Sequence, residues 1–248
     1  MSLLTTALGL SLLGSSGGLL VASSLLLFND TLRRRLVPWL VSYAVGALLG
    51  IALLALLPEA LELLHPTYVF STLLAGILVF FMLEKLVQLR HCHTDECQVH
   101  GATAQLVLVS DAVHNFIDGA IIATAVMTSV PLGVNTAIAV AAHEIPQEVG
   151  DVAILLAAGY SRRRALLLNV VSGVSGLLGA LFAFATVSVV PNIRPYVLSF
   201  ASASLLYIAM SDLIPNLHRG QIDRNALRQV LLIAAGIITI VIFEHAIG

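Results

Sequence analysis

Two short stretches carry most of the polar chemistry of this chain: DAVHNFIDG at residues 111–119 and HEIPQEVGD at residues 143–151. Both combine imidazole, carboxylate and amide side chains, although charged residues make up only 10% of the chain. Imidazole and carboxylate together suit Zn²⁺ and its first-row neighbours, whereas a dedicated Ca²⁺ or Mg²⁺ site would use oxygen ligands alone. The residue types therefore predict a site for a divalent transition metal.

The spacing within each stretch places its polar residues on one face of a helix. In the first stretch they recur at i, i+3, i+4 and i+7, and in the second at i, i+1, i+4, i+5 and i+8. Neither stretch contains a lysine or arginine to neutralise the carboxylates. The two predicted stripes are Asp111, His114, Asn115 and Asp118, and His143, Glu144, Gln147, Glu148 and Asp151.

The composition places these stripes inside a membrane. The chain has 248 residues, 58% of them hydrophobic, and a mean hydropathy of +0.99. Soluble domains are nearer half apolar and a quarter charged. The net charge of −2 offers no basic face for nucleic acid. The chain is predicted to be an integral membrane protein in contact with the lipid bilayer, with no nucleic-acid partner.

Apolar runs of bilayer-spanning length predict an all-α bundle of eight transmembrane helices. A bilayer crossing takes about 20 residues, and the runs lack the apolar–polar alternation of a membrane β-barrel. Residues 1–248 therefore form one transmembrane domain. The predicted spans are 3–28, 38–60, 67–88, 104–128, 133–157, 164–190, 196–217 and 227–246.

The basic residues predict the orientation of the bundle. Of the twelve lysines and arginines, only Arg194 falls in a connection from an even to an odd span, so the other eleven lie on one side. Connections rich in lysine and arginine stay in the cytoplasm. We therefore expect both termini outside, in a protein of the cell membrane.

The two stripes also resemble each other. HNFID and HEIPQ lie 29 residues apart on consecutive spans, which run in opposite directions. This predicts an inverted repeat of three, two and three spans meeting at the membrane midplane, a common plan for transporters. Pro146 within the second stripe removes one helical hydrogen bond and frees a carbonyl group, which a membrane tolerates beside a cavity.

HNFIDG and HEIPQEVGD are similar to the signature helices of the ZIP (Zrt-, Irt-like protein) divalent-metal transporters, and the second is close to the LIV-1 branch. The resemblance implies transport of a divalent metal toward the cytoplasm by sliding of spans 1, 4, 5 and 6 against spans 2, 3, 7 and 8. Zn²⁺ is the expected substrate, with Cd²⁺, Fe²⁺ and Mn²⁺ left open. The implied ligands are His114, Asn115, Asp118, His143, Glu144 and Gln147.

Three departures from the family pattern point to one well-formed metal site and leave a second open. Gln147 stands where histidine or glutamate is usual, Ala55 stands where the LIV-1 branch often has histidine, and span 6 has no carboxylate. Further polar residues are expected to line the pathway or to complete a second site. These are Asp111, Glu148, Asp151, Asp212, Ser172 and Glu59.

The connection at residues 90–103, between spans 3 and 4, is rich in histidine and cysteine. Thiolate and imidazole both bind Zn²⁺, so this cytoplasmic segment either receives transported metal or is an ordinary solvated loop. Paired CxxC spacing, which would indicate a structural zinc site, is missing. The candidate ligands are His91, Cys92, His93, Cys97 and His100.

Two other functions compete with transport. An intramembrane zinc metalloprotease would use HExxH, but the position of its second histidine is Gln147. A metal-sensing membrane protein would need a soluble output domain, and all the connections here are short. The chain is therefore not expected to be an enzyme, and the sequence leaves a homodimer open.

Overall fold

The computed structural model describes residues 2–25, 30–89, 99–218 and 225–247. These residues form helices throughout, and no strand occurs among them. Two π-helical segments, Ala52–Leu56 and Ile208–Leu213, and the 3₁₀ turn Pro191–Ile193 interrupt the α-helices. The α-helices are α1 Leu3–Leu25, α2 Asp30–Ile51, α3 Leu57–Leu63, α4 Pro66–Leu89, α5 Val99–Thr128, α6 Val130–Ala157, α7 Arg162–Val189, α8 Arg194–Tyr207, α9 Ile214–His218 and α10 Asn225–Ile247.

The chain is an all-α multi-pass membrane protein. Within the described residues, seven helical stretches are long and apolar enough to cross a bilayer. One of them, Leu36–Leu63, joins α2 to α3, and another, Pro191–Leu213, joins the 3₁₀ turn, α8 and the second π-helical segment. The predicted fifth span corresponds to α6, which has 28 residues but carries the polar stripe in its second half. That stripe lowers its hydropathy, so the count of eight stays a prediction.

The helices pack in two groups. The first group consists of α1, α5, α6 and α7, which pack most extensively on one another, and the second consists of α2, α3, α4, α8, α9 and α10. Fewer contacts join the groups, mainly from α6 to α2, with smaller ones from α5 to α8 and from α6 to α10. This division matches the two sets of spans that the family resemblance implies.

Glycines allow the closest approaches within each group. A Cβ atom at Gly119 of α5 would overlap the carbonyl oxygen of Gly176 on α7, and one at Gly46 of α2 would overlap that of Ile233 on α10. Small residues let transmembrane helices pack backbone against backbone. Each group is therefore held together by interfaces that tolerate no added side-chain atom.

The two π-helical segments occupy corresponding places in the predicted second and seventh spans. Each ends two residues before a proline, Pro58 in one helix and Pro215 in the other. In both, the residue before the proline donates its N–H to the carbonyl five residues back. Such insertions often mark functional sites. The recurrence is what an inverted repeat would produce, although the repeat itself stays a prediction.

Candidate metal centre

α5 and α6 form a tight antiparallel hairpin that brings the two polar stripes face to face. Only Ser129 separates the two helices, and its side chain caps α6 by accepting a hydrogen bond from the backbone N–H of Leu132 at 3.2 Å. α6 then continues without a break through Pro146. Because the connection is so short, the register between the two stripes is fixed by the chain itself.

Four side chains converge between these helices: His114 and Asp118 from α5, and His143 and Glu144 from α6. One ligand atom from each lies within 4.8 Å of all the others. The Nε2 atoms of His114 and His143 are 3.0 Å apart. Asp118 Oδ2 lies 3.1 Å from the His143 nitrogen and 3.6 Å from the His114 nitrogen. Glu144 Oε1 lies 3.5 and 3.7 Å from His114 and His143 Nε2, respectively.

These separations match the edges of a tetrahedral metal site. Zinc binds imidazole nitrogen and carboxylate oxygen at about 2.0–2.2 Å, so ligand atoms at tetrahedral angles lie about 3.3–3.6 Å apart. The five separations above range from 3.0 to 3.7 Å. One ion can therefore reach all four atoms with small side-chain adjustments.

The charge of the cluster also calls for a cation. Asp118 and Glu144 are fully buried, and none of their four carboxylate oxygens has a hydrogen-bond donor among the described residues. No lysine or arginine occurs from Val99 to Ala157. A buried carboxylate without a partner is costly. A divalent cation would neutralise both carboxylates at once.

The two histidines differ in their surroundings. The Nδ1 atom of His143 lies 3.2 Å from the carbonyl oxygen of Ala139. Because a carbonyl can only accept, this contact favours hydrogen on Nδ1 and leaves the Nε2 lone pair for a metal, as a partner to the second nitrogen does in known sites. His143 is 1% exposed, whereas the His114 side chain is 17% exposed and faces a cavity. His114 therefore lies between the cluster and the cavity.

The remaining two predicted ligands, Asn115 and Gln147, lie beside the cluster. Both donate from their amide nitrogens to Asp111 Oδ1, at 3.0 and 3.3 Å respectively. The Asn115 carbonyl oxygen is buried and accepts no hydrogen bond among the described residues. The structure thus brings four of the six predicted ligands together, and a ligand role for the two amides stays a prediction.

The other predicted pathway residues divide among four places. Asp111, Asp151 and Asp212 line the cavity beside His114. Glu148 accepts a hydrogen bond from Asn169 at 2.7 Å, away from the four-residue cluster. Ser172 of α7 donates weakly, at 3.5 Å, to the carbonyl oxygen of Leu108 on α5, and Glu59 lies at the opposite end of the bundle near Glu62 and Glu244.

The cavity has a volume of about 690 Å³ and lies between α4, α5, α6 and α8. It extends from His114 toward the end of the bundle where α6 ends and α7 begins, which we call the α6–α7 end. Glu84, Ser211 and Asp212 lie on its wall and are exposed. The cluster therefore has a water-sized route toward this end.

Four of the five candidate ligands in the 90–103 connection, His91, Cys92, His93 and Cys97, lie outside the described residues. The fifth, His100, lies in the first turn of α5, and only its backbone is described. Metal binding by this connection stays a prediction.

Two interhelical contacts have no counterpart in the sequence analysis. The Tyr207 hydroxyl of α8 donates to Glu84 of α4 at the cavity wall. Asn135 of α6 donates from Nδ2 to Glu244 Oε2 of α10 at 2.8 Å. No motif marks these residues, because each pair is far apart in the chain; a single polar residue on an apolar helix was the only available signal.

The interpretation as an HExxH metalloprotease disagrees with the geometry of the site as well as with the sequence. Gln147, in the place of the second histidine, directs its amide nitrogen to Asp111. The zinc ligands of that motif are two histidines on the same helix, at i and i+4. The cluster instead takes a histidine and a carboxylate from each of two helices.

Comparison with known proteins supports the resemblance to the ZIP transporters. The family model described as "ZIP Zinc transporter" matches residues 88–244, which include both stripes. Zinc transporter ZIP13 of Pongo abelii is 37% identical over 220 residues, covering 83% of this chain and 66% of that protein. Its Homo sapiens counterpart is 31% identical, covering 83% and 70%.

A more distant relative, zinc transporter ZIP4 of Homo sapiens, is 30% identical over 243 residues, covering 70% of this chain and 37% of that protein. The chain thus spans about two thirds of the length of its ZIP13 relatives. All these relatives are named as transporters rather than enzymes. With the matched segment covering both helices of the metal centre, the chain belongs to the ZIP zinc transporter family.

Proposed function

We propose that this chain transports divalent transition-metal cations, with Zn²⁺ as the main substrate, through the cluster between α5 and α6. The observation that carries the proposal is the set of four ligand atoms at tetrahedral separations, three of them on buried side chains, without a lysine or arginine on either helix. The relatives named as zinc transporters support the same substrate. Cd²⁺, Fe²⁺ and Mn²⁺ accept the same ligands and are compared in the test below.

The cavity and the basic residues support transport toward the cytoplasm. The cavity joins the cluster to the α6–α7 end. Arg162, Arg163 and Arg164 lie at that end, and most other basic residues fall in connections that reach the same side. By the positive-inside rule this side is cytoplasmic. The structure then corresponds to a state from which metal is released toward the cytoplasm.

Alternating access requires that the cluster lose this route and gain one to the other side. The two helix groups provide a means, because both ligand-bearing helices belong to the first group and the interface between the groups is the less extensive one. Ala44 and Ala47 of α2 lie in the same buried cluster as Ala139 and Ala142 of α6. A small, apolar interface lets the first group slide with its metal against the second.

The chain's own residues perform three tasks in this cycle. Asp118 and Glu144 supply the charge that replaces the hydration of the ion, and His143, held by Ala139, completes the buried side of the site. His114 separates the site from the cavity. Transport, unlike storage, needs a site that releases its ion, and a ligand facing water on one side provides that.

The test is metal uptake into proteoliposomes containing the purified protein, comparing Zn²⁺, Cd²⁺, Fe²⁺ and Mn²⁺. A variant with Asp118→Ala and His143→Ala removes one ligand from each helix. Glu62→Ala, at an exposed position far from the cluster, is the matched control. We expect the control to transport and the double variant to lose uptake. Binding without uptake of any of the four metals would overturn the proposal.

A further inference from the structure

We propose that the hydrogen bond between Asn135 and Glu244 is a latch that holds the two helix groups together at the end opposite the cavity. The inference rests on the proposed function, because it assigns these residues a place in the sliding of one group against the other. Asn135 and Glu244 are positioning residues here, since neither touches the cluster.

The contact between Asn135 and Glu244 lies at the end of the bundle opposite the cavity. Asn135 lies near the start of α6 and Glu244 near the end of α10, so both are at the end of the bundle where α5 meets α6. Asn135 precedes His143 by eight residues, which is about 12 Å along a helix. The cavity runs from the cluster in the other direction. The latch therefore lies on the side of the cluster away from the cavity.

The bond between Asn135 and Glu244 joins the two helix groups. Asn135 belongs to the first group and Glu244 to the second. The hydrogen bonds from Gln147, Asn169 and Ser172 join helices within the first group, and the bond from Tyr207 joins helices within the second. These internal bonds survive a sliding motion, whereas the bond between Asn135 and Glu244 breaks.

The contact between Asn135 and Glu244 is short, and Asn135 is buried. A hydrogen bond to a charged group is stronger than one between neutral groups, and burial strengthens it further. The bond length is 2.8 Å, and Asn135 is 1% exposed. Its carbonyl oxygen accepts no hydrogen bond among the described residues. The side chain is thus committed to Glu244, in an interface that is otherwise rich in alanine.

Exchanging the amide and the carboxylate between Asn135 and Glu244 tests the latch without changing the length of either side chain. Asn135→Asp places two carboxylates in contact and breaks the bond. Adding Glu244→Gln restores it, because the new amide donates to the new carboxylate. Glu244→Gln alone keeps a neutral hydrogen bond and is expected to act weakly. Thr136→Ala is the matched control, since the neighbouring Thr136 hydroxyl bonds only within α6.

The readout is the reaction of a cysteine in the cavity with a membrane-impermeant thiol reagent, in proteoliposomes with a metal chelator. Ile117→Cys supplies the thiol because Ile117 lines the cavity, and Cys92 and Cys97 are replaced by serine. We expect Asn135→Asp to slow labelling from the cavity side about tenfold or more. The double variant should return to within about threefold of the parent, and Thr136→Ala should not differ from it.

Equal labelling of Asn135→Asp and the parent would overturn the latch, and so would a double variant no faster than Asn135→Asp. If Asn135→Asp fails to fold, Asn135→Ala takes its place and must slow labelling in the same direction. Metal uptake by the parent is measured separately. A parent that transports but shows no effect of the reversal refutes only the latch, whereas a parent that takes up no metal refutes the proposed function.

Discussion

Comparing Glu144→Gln with Gln147→Ala separates the four-residue cluster from the six-residue ligand set that the sequence predicts, because Glu144 belongs to both sets and Gln147 only to the larger one. Glu144→Gln is the first variant. The substitution keeps the size and shape of the side chain and removes its charge. Zinc sites with four protein ligands bind with about 10–16 kcal/mol, so one ligand contributes about 2.5–4 kcal/mol. That corresponds to a loss of about 100- to 1000-fold in Zn²⁺ affinity.

Glu148→Gln is the matched control, because it makes the same change in the same helix at a residue that is also 1% exposed or less. Glu148 bonds to Asn169 rather than to the cluster, and glutamine can keep that bond. Gln147→Ala is the third variant. Because Gln147 donates to Asp111 and lies outside the cluster, we expect it to lose less than about tenfold, below the usual effect of outer-shell partners.

The assay is Zn²⁺ titration of the purified protein against a competing chelator, with thermal unfolding measured on the same samples. Glu144→Gln should leave the metal-free protein as stable as the parent or more so, because it removes a buried charge that has no donor. It should also reduce the stabilisation that excess zinc gives the parent by about 2.5–4 kcal/mol. If Gln147→Ala loses as much affinity as Glu144→Gln, the four-residue assignment is refuted.

Three further perturbations follow from the packing, the cavity and the ligand chemistry. Gly119→Ala should lower the unfolding temperature, because its Cβ meets the carbonyl oxygen of Gly176. Gly150→Ala should not lower it, because its Cβ meets nothing within 4 Å. A larger drop for Gly150→Ala than for Gly119→Ala would contradict the close packing of α5 on α7. Ser204→Trp should fill the cavity wall and reduce Zn²⁺ uptake while leaving equilibrium binding in place, so an unchanged initial rate of uptake would exclude this cavity as the route. Zn²⁺ affinity should weaken as pH falls, because protons compete for the imidazole ligands; affinity that stays constant under titration across the acidic range would exclude histidine ligands.

The membrane class and the four-residue cluster were predictable because each depends on patterns within single helices. Long apolar runs indicated the helices, and spacing at three and four residues placed His114 with Asp118 on one face of α5. The short connection at Ser129 then made α5 and α6 neighbours. The four atoms of the cluster therefore come from residues that the sequence analysis had already selected.

Spacing alone could not decide what each polar side chain contacts. Asn115 and Gln147 lie on the same stripes as the four cluster residues, yet both amides donate to Asp111. A helical face extends over two or three turns, whereas a metal ion contacts only atoms within a few ångströms. Residues on one face therefore need not share one site. The bond between Asn135 and Glu244 was also hidden, since it joins helices 109 residues apart in the chain. Such contacts depend on packing between helices, which periodicity does not report.

The π-helical segments had a partial signal in the sequence. Pro58 and Pro215 were visible as prolines inside long apolar runs, and Pro38 and Pro146 share that feature. Only the first two follow a π-helical segment. A proline removes one N–H from the helix, and whether the chain responds with a wider turn depends on the neighbouring helices.

X-ray absorption spectroscopy of the purified protein loaded with one equivalent of Zn²⁺ tests the four-residue site most directly. The structure predicts a four-coordinate ion with two imidazole nitrogens and two carboxylate oxygens at about 2.0–2.2 Å. The spectrum of Glu144→Gln should show a changed first shell, because one carboxylate ligand is lost while His114, Asp118 and His143 remain. A sulfur shell at about 2.3 Å, which would place the ion on Cys92 or Cys97, or a six-coordinate shell of oxygen alone, would contradict the site.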